Sequence, residues 1–293
     1  METNFYYFSG TGNSFVVARD LSNKLNGNII PISSVINKEK IDINSKKVGI
    51  IFPVYHQGVP FIIKRFINKI TNLSNKYIFG VCTFGDSPGI SIKYLKKYIK
   101  NNSGELSLGF AVKMPYNYIT PSFVLKDFYK SFKLREVPTK KQQKCYDNWS
   151  NKKLDIIHDS ILGQKKGIFE TKAEVIEHMV DFFNLREIIQ KRVWLKVASY
   201  KDETNLAFQE SLQLMDYGFN YNDNCTGCKI CLKICPVNNI EIVDSRPIWQ
   251  HKCEQCFACL QWCPKEAIQF REGTFNGKRY HHPDVEISDM INN

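Results

Sequence analysis

Eight of the ten cysteines crowd into residues 225–263, in two runs of the form C-x2-C-x2-C-x3-C-P. The first, "CTGCKICLKICP", starts at Cys225 and the second, "CEQCFACLQWCP", at Cys253. Each supplies three thiols at i, i+3 and i+6 and a fourth directly before a proline, and thiolate sulfur is a soft ligand for zinc or iron. A second chemical stretch stands near the start of the chain, "FSGTGNSF" at residues 8–15. Its small side chains let backbone N–H groups and hydroxyls close around a phosphate at the positive end of the following helix.

Two metals compete for the cysteines. Zinc knuckles use four ligands as two pairs, whereas here each group has three close cysteines and a fourth before proline. That spacing is the iron–sulfur pattern, in which the fourth cysteine of each run ligates the other cluster. One cluster is therefore expected on Cys225, Cys228, Cys231 and Cys263, and a second on Cys253, Cys256, Cys259 and Cys235. Small residues such as Gly227 and Ala258 leave room for sulfide, and "IEIV" and "AIQF" follow the two motifs like short strands of a symmetric pair. A domain of about 55 residues has too small a core to be secure alone, so two metal centres would supply the missing support. From about residue 221 to 270 the chain resembles bacterial two-cluster ferredoxins, which implies a small α+β domain at 218–272 carrying two [4Fe-4S] clusters. Cys82 and Cys145 lie outside the motifs and are expected as buried thiols.

The loop at 9–14 lacks the lysine of a nucleoside-triphosphate cradle, and Phe15 stands where a dinucleotide motif needs its third glycine. A single monoester phosphate remains as guest. The competing reading is a helix N-cap by Asn13 or Ser14 after a tight glycine turn.

The elements that position this loop alternate. "NFYYFS" reads as a buried strand, and from Asn13 the apolar residues shift to helical spacing at Val17, Leu21 and Leu25, ending near Gly27. "NII" at 28–30, "VGIIFPVY" at 48–55, "KYIFGVCTFG" at 76–85 and "LSLGFAVKM" at 106–114 read as further strands. Helices are expected between them, one opening at Pro60 and carrying Ile63, Phe66, Ile67 and Ile70 inward, another opening at Ser87 and Pro88 with Ile92, Leu95 and Ile99. This order predicts an α/β fold, a doubly wound parallel sheet whose ligands bind beyond the carboxyl ends of the strands.

"SGTGNS" resembles the flavodoxin phosphate loop, and the resemblance spans residues 1–118. It implies a flavodoxin-like domain binding FMN, with Ser9, Gly10, Thr11, Gly12, Asn13 and Ser14 on the phosphate. It also implies that Pro53, Val54, Tyr55 and His56, together with Thr83, Phe84, Gly85 and Asp86, sandwich the isoalloxazine ring. Tyr55 is the expected stacking group, since a flat flavin gains most from an aromatic face. His56 is equally explained as a polar loop residue in water. Asn117 or Tyr118 would touch the ring edge, unless "MPYNY" is an ordinary surface turn.

Residues 119–217 are expected as a helical, lysine-rich middle region, a linker or a cap over the flavin. Its clearest helical period runs through 173–197. Glu174 and His178 stand i,i+4 there and are read as a solvent-facing pair rather than a metal site. The tail at 273–293 carries "KRYHHPDVEI" and is expected as a structural extension, with His281 and His282 as secondary candidates for a redox or proton role.

With 293 residues, two small domains are the expectation. No stretch reaches the roughly 18 apolar residues of a membrane span, and "METNFYYFSG" lacks an export signal, so a cytoplasmic protein without membrane contact is expected. The formal charge of +11 falls to roughly +5 once two oxidised clusters add about −4 and a phosphate about −2. A moderate positive field steers an acidic redox partner, a ferredoxin or reductase, and no recognised motif argues for nucleic acid. The whole resembles the flavodoxin–ferredoxin fusion proteins of anaerobic microbes, which implies electron transfer between iron–sulfur clusters and FMN. The alternative is a flavin-dependent reductase acting on a small acceptor; a third reading, a zinc-stabilised nucleic-acid-binding module, predicts a colourless protein. The oligomeric state stays open.

Overall fold

Short apolar strands, each followed by one helix, return the chain to the same edge each time and so pair in parallel, buried on both faces. The computed structural model describes residues 3–117, 139–171, 191–198, 200, 205–274 and 278–291. These fall into two compact units, one of residues 3–116 and 139–171, the other of residue 117 and those from 191 onward.

The first unit is a six-stranded parallel sheet in the order β2-β1-β3-β4-β5-β6. The chain runs β1 (Thr3–Tyr7), α1 (Asn13–Leu25), β2 (Asn28–Pro31), α2 (Ile32–Val35), β3 (Lys47–Pro53), α3 (Phe61–Lys69), β4 (Tyr77–Phe84), α4 (Ser91–Asn101) and β5 (Leu106–Lys113). These five strands have the 2-1-3-4-5 order of the flavodoxin-like fold, whose direction reverses between β1 and β3 and opens a crevice at their carboxyl ends. The expected inward faces are observed: Val17 and Leu21 of α1, Ile63, Phe66 and Ile67 of α3, and Ile92, Leu95 and Ile99 of α4 are all buried. Pro60 caps α3 as expected. α4 begins at Ser91 rather than at Ser87, because residues 85–90 form a turn at the carboxyl end of β4.

The middle region does not behave as one linker. Its described part at 139–171 belongs to the sheet unit as α5 (Thr139–Asn148), a single π-helical turn (Trp149–Lys153), α6 (Leu154–Leu162) and β6 (Ile168–Phe169). β6 pairs with β5 through Leu108↔Ile168 and Gly109↔Phe169. The physical reason is the edge of β5, whose unpaired backbone groups need a partner. Trp149, 2% exposed, donates its indole N–H to Asp20 Oδ2 at 2.9 Å, and the Tyr77 hydroxyl donates to the Lys165 carbonyl at 2.7 Å. Glu174, His178 and the 172–190 part of the expected long helix lie outside the described residues; 191–197 is helical, as α7 (Lys191–Val197).

The second unit holds β7 (Phe219–Tyr221), α8 (Ile230–Ile234), β8 (Ile240–Val243), β9 (Arg246–Trp249), α9 (Ala258–Gln261), β10 (Ile268–Phe270) and α10 (Ile287–Ile291). "IEIV" and "IQF" do not pair with each other. β8 pairs with β9 in a hairpin and β10 pairs with β7, both antiparallel. Each strand after a cysteine run thus has its own antiparallel partner, β9 from just after it for β8 and β7 from before the first run for β10. Phe219 joins the halves, stacked on Trp249 at 5.4 Å and edge-on to Phe270 at 4.9 Å.

Candidate cluster and flavin sites

Two cavities of the second unit are each walled by four cysteines. One is lined by Cys225, Cys228, Cys231 and Cys263, together with Gly227, Ser245 and Lys265. The other is lined by Cys235, Cys253, Cys256 and Cys259, together with Phe219 and Trp249. The exchange of the fourth cysteine between the two runs is therefore present in the fold. Local backbone explains it: Lys229 and Phe257, one residue after the second cysteine of each run, take left-handed conformations (φ 63° and 56°) that start α8 and α9. α8 holds the third cysteine of its run, Cys231, and α9 holds Cys259; the fourth, Cys235 and Cys263, follow just beyond the two helices.

Backbone N–H groups point at the sulfurs. Asn239 donates to Cys235 Sγ at 3.1 Å and Ala267 to Cys263 Sγ at 3.3 Å, the same i+4 bond in both halves, while Gln255 donates to Cys253 Sγ at 3.2 Å. Burial pushes the Cys231 thiol up to about 11 and the Cys256 thiol up to about 12, with neighbouring cysteines adding to both shifts. Burial likewise drives Cys253 and Cys259 well above the ordinary thiol range. Such crowded, buried thiols become thiolates when a metal takes the place of their protons. Among the described residues no three His, Cys, Asp or Glu side chains close to the spacing of a single-ion site.

A buried polar brace stands beside the second cavity. The Asp216 carboxylate, 1% exposed, accepts from Asn239 Nδ2 at 2.9 Å and from the His251 backbone N–H at 2.8 Å, and pairs with His251 Nδ1 at 2.7 Å. Asn239 Oδ1 in turn accepts from the Lys252 N–H, next to Cys253. Asp216, Asn239 and His251 were not read from the sequence. Only the fold identifies them, through the buried Asp216 carboxylate and the partners gathered on it.

In the first unit, Gly12 caps α1 with a positive φ of 93°, a conformation that favours glycine, and no side chain of the described residues caps the helix. Asn13 and Ser14 thus do not serve as N-caps. Their side chains reach away, Asn13 Nδ2 to the Pro115 carbonyl at 3.4 Å and Ser14 Oγ to Thr83 Oγ1 at 2.7 Å. Ser9 Oγ accepts from the Gly12 N–H at 3.1 Å, which closes the loop on itself. Gly10, Thr11 and Gly12 are buried beside them.

Pro53 ends β3, and the Val54 N–H donates to the Thr83 carbonyl at 2.8 Å, joining the second loop to the third. Tyr55 and Gly58 exchange backbone hydrogen bonds at 3.2 and 2.8 Å around His56 and Gln57, both at positive φ. Tyr55 is half-buried and packs edge-on to Phe8 at 6.0 Å. Phe84 and Gly85 are half-buried and Asp86 is exposed. Gly89 (φ 52°) lies so close to the second loop that a Cβ there would meet the Gln57 carbonyl at 2.5 Å. The three loops are thus brought together at the carboxyl ends of β1, β3 and β4. Asn117 follows two residues after Pro115, and its carbonyl accepts from Gln261 Nε2 at 2.9 Å. Tyr118 lies outside the described residues. The Pro115 carbonyl was missed, because a backbone acceptor leaves no mark in a sequence.

Residues 224–268 match the 4Fe-4S dicluster domain family. The match covers both cysteine runs. No curated protein matches the sequence. Similar solved structures include a flavoprotein from Bacteroides eggerthii, 24% identical over 38% of this chain and 87% of that one, with a TM-score of 0.29. They also include a flavodoxin from Streptococcus pneumoniae, 14% identical over 40% and 87% of the two chains, TM-score 0.32. A third is the two-electron reduced flavodoxin of Megasphaera elsdenii, 16% identical over 39% and 85%, TM-score 0.30. The flavodoxin-like assignment of the first unit rests on its own strand order. No helix among the described residues is long and apolar enough to cross a membrane.

Proposed function

We propose that this chain is an electron-transfer protein that holds FMN in its sheet unit and two [4Fe-4S] clusters in its C-terminal unit, and exchanges electrons with a redox protein partner. The observation that carries the reading is the pair of cavities, each walled by three cysteines of one run and the fourth of the other. Cys225, Cys228, Cys231 and Cys263 hold one cluster, and Cys235, Cys253, Cys256 and Cys259 the other. Bound clusters supply single-electron steps and a bound flavin both one- and two-electron steps, so that a one-electron carrier can be joined to a two-electron couple.

The residues of the first unit perform the binding. The backbone of Ser9–Ser14, at the positive end of α1, takes the phosphate, and the Ser14–Thr83 bond keeps that loop in register with the end of β4. Tyr55, braced by Phe8, offers an aromatic face to the ring, and the 83–86 segment lines its other side.

Anaerobic assay of iron, acid-labile sulfide, zinc and extracted flavin per chain tests the reading, together with the visible spectrum. About eight iron and one FMN are expected. Zinc without flavin would overturn it.

A further inference from the structure

Arg279 belongs to the tail that the functional reading leaves without a task. Its Nη2 donates to the Ile268 carbonyl at 2.9 Å and to the Glu266 carbonyl at 3.4 Å. Those two carbonyls flank Ala267, whose N–H donates to Cys263 Sγ at 3.3 Å. The guanidinium is thus clamped onto the turn that carries the crossing cysteine of the first cluster site. The tail around it is anchored twice, by the Tyr280 N–H on Gln261 Oε1 at 2.8 Å and by the His281 ring stacked on Trp262 at 4.3 Å.

Two of its donors are spent on nothing. Nε and Nη1 are buried and have no hydrogen-bond partner among the described residues. Leaving charged donors unpaired in the interior is costly, so their retention calls for a negative group that satisfies them. Arginine keeps its charge when buried. Burial pulls the Arg279 pKa down, and the Glu266 carboxylate opposes that pull. Cys263 lines the first cavity.

We propose that Arg279 is a fixed internal cation beside the Cys263 cluster site, delivered by the tail to raise the reduction potential of that cluster. The proposal rests on the two-cluster reading above. A cluster gains one negative charge on one-electron reduction, and a neighbouring positive charge stabilises that state. Arg279 is a tuning residue and touches no substrate. The cluster on Cys263, gripped through Ala267, should feel it more than the one on Cys259.

The test is a redox titration of the full chain, loaded anaerobically, followed by electron paramagnetic resonance, for the wild type, Arg279→Gln and Arg279→Lys, with iron and sulfide measured in each. Glutamine keeps an amide donor for the two carbonyls but removes the charge; lysine keeps the charge. Arg279→Gln should lower at least one midpoint so that the reduced-to-oxidised ratio at a fixed potential falls about tenfold, ~59 mV for a one-electron couple. Arg279→Lys should recover most of that shift. If the glutamine variant loses its clusters while the lysine variant keeps them, the need for charge is again supported. An unshifted glutamine variant, a lysine variant as shifted as glutamine, or loss of clusters from both would overturn the proposal and leave Arg279 a backbone clamp. Absence of iron–sulfur from the wild type would instead reject the two-cluster reading itself.

Discussion

Ser14 Oγ and Thr83 Oγ1 lie 2.7 Å apart, joining the loop after β1 to the end of β4 across 69 residues of sequence. Both groups are buried. The bond turns two separate small-residue loops into one rim at the crevice where the strand order reverses.

Thr83→Val keeps the shape of the rim and removes the hydroxyl partner of Ser14. The expected cost is roughly 1 kcal/mol in stability of the sheet unit. FMN affinity should fall about tenfold, measured by flavin fluorescence titration. Replacing both Thr11 and Ser14 by leucine should abolish flavin uptake, and unchanged flavin content would reject the loop assignment.

Cys263→Ser and Cys235→Ser discriminate the crossed arrangement from an uncrossed one. Loss of Cys263 should disturb the cluster of Cys225, Cys228 and Cys231 first, although 32 residues separate Cys231 from Cys263 in the chain numbering. Loss of Cys235 should disturb the cluster of Cys253, Cys256 and Cys259. Electron paramagnetic resonance of each reduced variant reads which signal disappears, and the reverse pattern would refute the crossing.

Asp216→Ala leaves Asn239 Nδ2 and the His251 N–H without their buried acceptor. The expected loss is about 3 kcal/mol in the second unit. Iron release to a chelator should accelerate, and it should begin at the cluster of Cys253, because Asn239 links that run to Cys235. Equal loss from both clusters would show that the brace is not local.

Alkaline pH should weaken the sheet unit. Burial raises the Cys82 thiol to about 12 and the Tyr77 hydroxyl to about 12. Both groups are therefore neutral in the fold at a pH where the unfolded chain already ionises them, near 8.5 for a thiol and 10 for a phenol. Their contribution is complete below those values and is lost as pH rises toward 12. Denaturant midpoints should fall between about pH 9 and 12, and Tyr77→Phe should flatten the upper part of that decline.

The strand–helix alternation was legible because its signals are local. Apolar runs at β1, β3, β4 and β5 and helical spacing at Val17, Ile63 and Ile92 need only a few neighbouring residues to be recognised. β6 was not legible, since two residues, Ile168 and Phe169, carry no period of their own and become a strand only against the edge of β5. The N-cap alternative at Asn13 and Ser14 failed for the same reason in reverse. Their side chains are taken by Pro115 and Thr83, partners that no local rule names.

The sequence by itself determined the cysteine chemistry, because metal-ligand spacing is written in consecutive residues, and it determined the small-residue loop between the first strand and the first helix. Only the tertiary structure decided that three loops far apart in the chain share one rim, and that Asp216 and Asn239 brace one cysteine set. It also decided that the tail returns to place Arg279 beside Cys263. Those relationships depend on burial and on hydrogen bonds between distant backbone and side-chain groups, and burial is a property of the folded chain rather than of any residue in it.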